Sequence, residues 1–179
     1  SLFLLIVAVT GTSLVFNKSV AEITNFLTAS APRPVPPLSN RSRAQQIRLS
    51  LDDLLHKADT LLPAPTTWVS FPQTPDAPVV IRKKMPEELH PNGRSFIYLD
   101  QYTGEVLLIE NASTAPVGTR IYNIFYPIHI GIMGGLPTRV LQVMIGFLPL
   151  VLFTTGYIMG RNRRKVKAYK NGNRPAWRS

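Results

Sequence analysis

Two long apolar runs frame a middle section in which apolar and polar positions alternate at short spacing. The second run is the cleaner. From Val140 to Gly160, between Arg139 and Arg161, no residue is charged, and a helix of that length covers about 30 Å, the hydrocarbon thickness of a bilayer. The pattern predicts a transmembrane helix over residues 137–160. Pro149 falls inside it, where a proline kinks the axis and frees a carbonyl that Gln142, Thr154 or Thr155 is placed to satisfy. Gly146, Gly156 and Gly160 are small positions, so one face either admits a second helix closely or simply meets lipid.

The first run, Leu2 to Phe16, turns polar at Thr10 to Ser13 and is shorter than the roughly 20 residues a span needs. It opens with Ser1 already inside the apolar stretch, without an initiator methionine or a basic flank, so upstream residues are expected. A cleavable signal peptide would carry a charged leading segment and a small-residue cleavage site. An uncleaved first transmembrane helix over residues 1–16 is the favoured reading.

Between the runs, residues 17–43 include "SAPRPVPPLSNRSR" (Ser30 to Arg43), whose prolines favour an extended spacer between membrane and domain. In "SLDDLLHKADTLLP", Leu51, Leu54, Leu55, Ala58, Leu61 and Leu62 share a helical face, with Ser50 as N-cap and Asp53 in the place of the capping-box Glu. Pro63 ends that helix. Strands are predicted over Thr66 to Phe71, Ala77 to Met85, Ser95 to Asp100 and Val106 to Glu110, with turns at Pro91 to Gly93 and at "QYTGE". One amphipathic helix packed on a small antiparallel sheet, over residues 44–111, makes the fold class α+β. Residues 112–136 form an interfacial connector.

Charge sets the orientation. The tail, residues 161–179, holds eight basic residues and no acidic one, whereas between Asn17 and Gly135 eleven basic residues nearly cancel all ten acidic ones. The positive-inside rule puts the tail in the cytoplasm; two spans then put both termini there and the middle domain outside. Basic residues that follow an apolar run, rather than stud a folded domain, argue against nucleic acid as a partner. With no cysteine, disulfides and thiolate chemistry are excluded.

The amphipathic helix followed by strands closing on "YLDQYTGEVL" (Tyr98 to Leu107) resembles a PepSY domain, whose last hairpin commonly reads Asp-x-x-Thr-Gly-x-Val. "VAVTGTSLVF" (Val7 to Phe16) resembles the end of the first helix in PepSY-associated transmembrane proteins. The stretch from Ile128 to Lys165 resembles their next helix, with its His-x-Gly opening, Thr-Gly exit and basic end. The resemblance implies a bacterial inner membrane of the cytoplasmic type. Larger members related to ferric-siderophore reductases have four or more helices and a further His near the start of the first; this sequence has two runs and no such residue.

The three histidines differ in prospect. His56 lies on the solvated face of the amphipathic helix, and His90 in a turn-rich surface segment. His129 stands beside Tyr122, Phe125 and Tyr126, an aromatic group suited to the membrane interface. Three roles are open to it: hydrogen bonding near the headgroups, a partner contact, or ligation of haem iron, which the resemblance brings into view. Gly131, Gly134 and Gly135 let the chain bend after it and approach a partner. With no nucleophile, acid–base pair or metal set in the pattern, the expectation is a non-enzymatic accessory or regulatory subunit of an integral membrane complex, without cofactor. The alternative is a haem-linked membrane redox protein.

Overall fold

The computed structural model describes residues 2–43 and 49–172, in two compact units, Ser1–Met133 and Gly134–Ser179. The expected domain start at Ala44 and the tail beyond residue 172 lie outside the described residues. The fold is α+β. In the first unit, helix α3 (Leu51–Leu61) packs on a four-stranded antiparallel sheet of β1 (Thr66–Ser70), β2 (Val79–Lys83), β3 (Ser95–Leu99) and β4 (Val106–Glu110), in the order β1-β2-β3-β4. Each strand pairs with its sequence neighbour, so short turns suffice and no crossover is needed.

The core follows the predicted pattern. Leu54, Ala58 and Leu62 meet Val79, Ile81, Ile97 and Leu99, and each large member contributes roughly 1.5–3 kcal/mol by leaving water. Leu51 is exposed instead, one turn too early to reach the sheet. Ser50 caps α3 by accepting from the Asp53 amide at 3.2 Å, while its hydroxyl donates to Asp53 Oδ2 at 2.7 Å. Asp is one methylene shorter than Glu, and its carboxylate takes the cap's hydroxyl rather than the cap's backbone N–H. On β2, the wholly buried Lys83 donates to Asp59 and, at 3.1 Å, to the Ala64 carbonyl, which satisfies an otherwise costly charge.

The proline-rich stretch is not a free spacer. Its extended backbone leaves amides unpaired, and the domain takes them up: Ser39 N–H donates to Asp76 O at 2.8 Å and Asn40 N–H to Asp100 Oδ2 at 2.7 Å. Arg33 pairs with Glu110 and lies 5.0 Å over the Phe96 ring, and Arg43 pairs with Glu105. Asp100 is the hub. Its other oxygen accepts from the Tyr102 and Thr103 amides at 2.9 and 3.0 Å. Burial opposes its ionisation, but the amides of Asn40, Thr103 and Tyr102 outweigh that and hold its pKa below the usual carboxylate value.

Two further helices occupy segments expected to lack them. Residues 17–27 form α2 (Asn17–Leu27), bent by 108° from α1 (Leu2–Val15). Its end is closed by Ala29 N–H to Phe26 O and Ser30 N–H to Asn25 O, with Ala29 at φ +48° in the glycine-type position of this cap. The Ser30 hydroxyl accepts from the Gly118 amide at 3.0 Å, fastening that cap to α4 (Val117–His129). Helix α4 replaces the expected connector and packs on both α1 and α2. Pro127 sits in its last turn and has no N–H to donate to the carbonyl four residues before it.

In the second unit, α5 (Gly135–Gly146) and α6 (Leu148–Gly172) are interrupted at Phe147, two residues before Pro149. Together they include one candidate membrane span, Gly135–Arg164, none of it buried. Helix α6 continues into the basic tail. The Thr154 and Thr155 hydroxyls donate within their own turn, to Leu150 and Val151 carbonyls at 3.0 and 2.8 Å, rather than to the carbonyl Pro149 leaves free. The first apolar run, α1, is too short to qualify alone and passes only as a bent pair with α2, so one clear span is present among the described residues.

Gly104 closes the β3–β4 hairpin at φ +65°, and a Cβ there would stand 2.4 Å from Leu49 Cδ1 and 3.1 Å from Leu54 Cδ2. Gly104→Val is expected to destabilise the domain by about 1–3 kcal/mol through backbone strain. Thermal unfolding of the detergent-solubilised chain measures this, and an unchanged midpoint contradicts the turn's role.

Candidate functional site

His129 is the last residue of α4, and the chain turns sharply after it. Gly131, at φ +69°, donates to Ile128 O at 3.0 Å, and Ile132 donates to Pro127 O at 3.1 Å. The imidazole is half-buried against α1, with Nδ1 3.2 Å from both the Val7 carbonyl and Thr10 Oγ1. Thr10 Oγ1 is itself 2.8 Å from Ile6 O and 3.2 Å from Val7 O. A carbonyl only accepts, so the Val7 contact is a hydrogen bond in the tautomer that carries its proton on Nδ1. Gly11 makes the approach possible: a Cβ there would stand 2.9 Å from His129 Cε1.

This contact explains the polar break in the first apolar run. The buried residues of α1 are Thr10 and Ser13, while Leu2, Leu5, Val9 and Val15 are exposed. Water-soluble helices bury the opposite set. In lipid, small and hydroxylated residues face neighbouring helices and the aliphatic side chains face out.

His90 is not a surface residue. It is 7% exposed, stacks on Tyr126 of α4 with ring centroids 4.9 Å apart, and accepts from the Asn92 amide at Nδ1. Burial first, then the positive charges of Arg94, Arg82 and Lys84, push its pKa down to about 4. It lines a cleft of about 330 Å³ with Glu87, Glu88, Arg94 and Arg120. The Glu88 carboxylate there is taken by the Arg94 amide and the Ser95 hydroxyl. The site therefore works as a joint, a neutral imidazole linking the turn before β3 to α4. His56 is exposed on α3, and no cluster of three His, Asp or Glu residues suited to a metal occurs among the described residues.

The predicted glycines fall in both units. Gly131 belongs to the first unit, whereas Gly134, Gly135, Gly146, Gly156 and Gly160 belong to the second. Gly134 packs on Thr138, and the positions where Gly146, Gly156 and Gly160 would carry a Cβ have nothing within 4 Å. The residues that sequence reasoning missed are Thr10, Gly11 and the His90–Tyr126 pair. Thr10-Gly11 was visible as a polar interruption, but its partner lies 119 residues away.

Two comparisons bear on these features. A family model described as the PepSY-associated TM region matches residues 1–113 and 108–163. No curated protein matches the chain.

The His90 environment makes a signed prediction. The unfolded chain takes up a proton near pH 6.5 and the folded chain only near pH 4, so stability grows as pH rises through that window and is complete above it. His90→Gln is expected to flatten this slope in denaturation measured between pH 4 and 7. Equal slopes in parent and variant contradict the assignment.

Proposed function

Because the chain belongs to the PepSY-associated transmembrane family, we propose that it is a membrane-anchored, non-enzymatic accessory or regulatory subunit of a larger membrane protein complex. It sits in a bacterial inner membrane with both termini cytoplasmic and the sheet domain outside. The observation that carries this reading is the inverted burial of α1, with Thr10 and Ser13 inside and aliphatic side chains outside, which fits a helix solvated by lipid. Leu2–Val15 spans only about 21 Å, and α2 continues it with Ile23, Phe26 and Leu27 exposed on one face, as suits a helix lying in the headgroup region. Arg161, Arg163 and Arg164 directly after the second apolar run support a cytoplasmic tail. The unoccupied surroundings of Gly146, Gly156 and Gly160 support close approach of a partner helix.

A second reading is favoured by the contact of His129 with Val7. An imidazole whose Nδ1–H is held by a carbonyl presents Nε2 in the form that ligates iron. Bound haem would supply one-electron transfer, and His129 would hold it while Val7 and Thr10 fix the imidazole ring. His56 and His90 belong to the sheet domain, so of the three histidines only His129 would hold the group.

Purification from native membranes in mild detergent tests both. The accessory reading expects integral membrane proteins to co-purify, Gly156→Leu with Gly160→Leu to reduce their recovery on the order of tenfold, the scale of a lost close helix contact, and His129→Gln to leave it unchanged. A Soret band present in the parent and lost in His129→Gln would overturn it in favour of the redox reading.

A further inference from the structure

The bend between α1 and α2 roofs a second, larger cleft of about 650 Å³, floored by Phe96 of β3 and Ile109 and Glu110 of β4. Its walls carry three cations, Lys18, Arg33 and Arg94, against a single carboxylate, Glu110. That carboxylate is spent on Arg33, whose Nε and Nη2 reach Oε2 at 2.8 and 2.5 Å. Arg94 makes no side-chain ion pair among the described residues. Its Nε is buried with no hydrogen-bond partner among the described residues. The nearby Glu88 carboxylate is occupied by the Arg94 backbone amide and Ser95. Burial lowers the Arg94 pKa, reinforced by the charges of Arg33 and Arg82 and opposed by Tyr122 and Glu88. A half-buried cation whose nearby carboxylate already accepts other hydrogen bonds gains from an anion supplied from outside.

Asn25 and Glu110 also line the cleft, but Asn25 Oδ1 and Glu110 Oε1 are buried away from it. A ligand that fits the exposed charge offers an anion to Lys18 and Arg94. Inorganic phosphate is too small for the volume, which lies in the range of pockets for larger molecules. The cleft also opens beside Leu14, Asn17 and Ala21, where the lipid-type surface of α1 ends and α2 begins.

We propose that this cleft binds the glycerol-phosphate headgroup of an anionic phospholipid, its phosphate on Lys18 and Arg94. The same headgroup chemistry exists in soluble glycerol phosphate. The lipid source rests on the reading of α1 as membrane-inserted. A bound headgroup would complete the wall between the bend and the sheet, making the packing of the domain on its helices dependent on lipid composition.

The test uses the full chain in mild detergent, exchanged against phosphatidylglycerol or phosphatidylcholine, with retained lipid counted by native mass spectrometry. The parent should prefer phosphatidylglycerol by roughly tenfold or more, on the scale of two cations near a lipid surface. Lys18→Gln with Arg94→Gln should abolish the preference, and Arg94→Lys, which keeps the charge, should retain part of it. Arg161→Gln with Arg163→Gln removes equal charge from the tail and should change nothing. No preference in the parent, or an equal loss in the tail variant, overturns the proposal. Glycerol 3-phosphate binding that requires Lys18 and Arg94, without lipid retention, overturns the lipid source. Leu5→Cys carrying an environment-sensitive fluorophore reports α1 insertion independently, so absence of lipid with an apolar fluorophore signal refutes the site and leaves the anchor standing.

Discussion

A single buried carboxylate joins the parts of the first unit. Asp100 directly follows β3, and its two oxygens accept three backbone amides, two from its own turn and one from Asn40 in the proline-rich strap. Each such bond to a charged acceptor is worth about 1.5–3 kcal/mol. The consequence reaches beyond the hairpin. With Asn40 held, Ser39 lies against Asp76 and accepts from the Gln101 amide, and upstream Arg33 meets Glu110 and Phe96. The strap is thereby drawn across the sheet, and the cap at Ala29 and Ser30 brings α2 and α4 with it. The domain is docked on its helices rather than hung from them.

A second constraint acts on the helices. In α1 the hydroxyl residues are inside and the aliphatic ones outside, an arrangement that water penalises and lipid does not. The contact between α1 and α4 rests on Gly11, which leaves room for His129, and on Thr10 and Val7, which hold its Nδ1. His90 against Tyr126 makes the matching joint at the domain side of α4. Two imidazoles thus bracket one helix, one facing the apolar run and one facing the sheet.

Local chemistry was legible in the sequence; distant pairing was not. The alternation of Val79 to Lys83 and Ser95 to Leu99, the Ser50 cap and the Gly104 turn each depend on residues within a few positions, and each stands where the pattern put it. The strap was misread because prolines predict an extended backbone without saying what that backbone touches, and Asp100 lies 60 residues from Asn40. Helix α2 was hidden by Asn17 and Lys18 at its start, although Ile23, Phe26 and Leu27 keep helical spacing. Helix α4 was hidden by Pro127, which reads as a helix breaker and is accommodated two residues before the helix ends. His90 appeared exposed because its neighbours are polar; the Tyr126 ring that covers it belongs to a helix the pattern did not reveal.

The central claim is that Asp100 couples strap and hairpin into one unit, and amide hydrogen exchange on Asp100→Asn tests it most directly. An asparagine side chain presents an NH₂ either to Asn40 or to Tyr102 and Thr103, so donors face donors on one side. The account predicts that the amides of Ser39, Asn40, Tyr102 and Thr103 lose protection together while those of Ile81 and Ile97 keep theirs. Loss confined to Tyr102 and Thr103, with Ser39 and Asn40 unchanged, would contradict it.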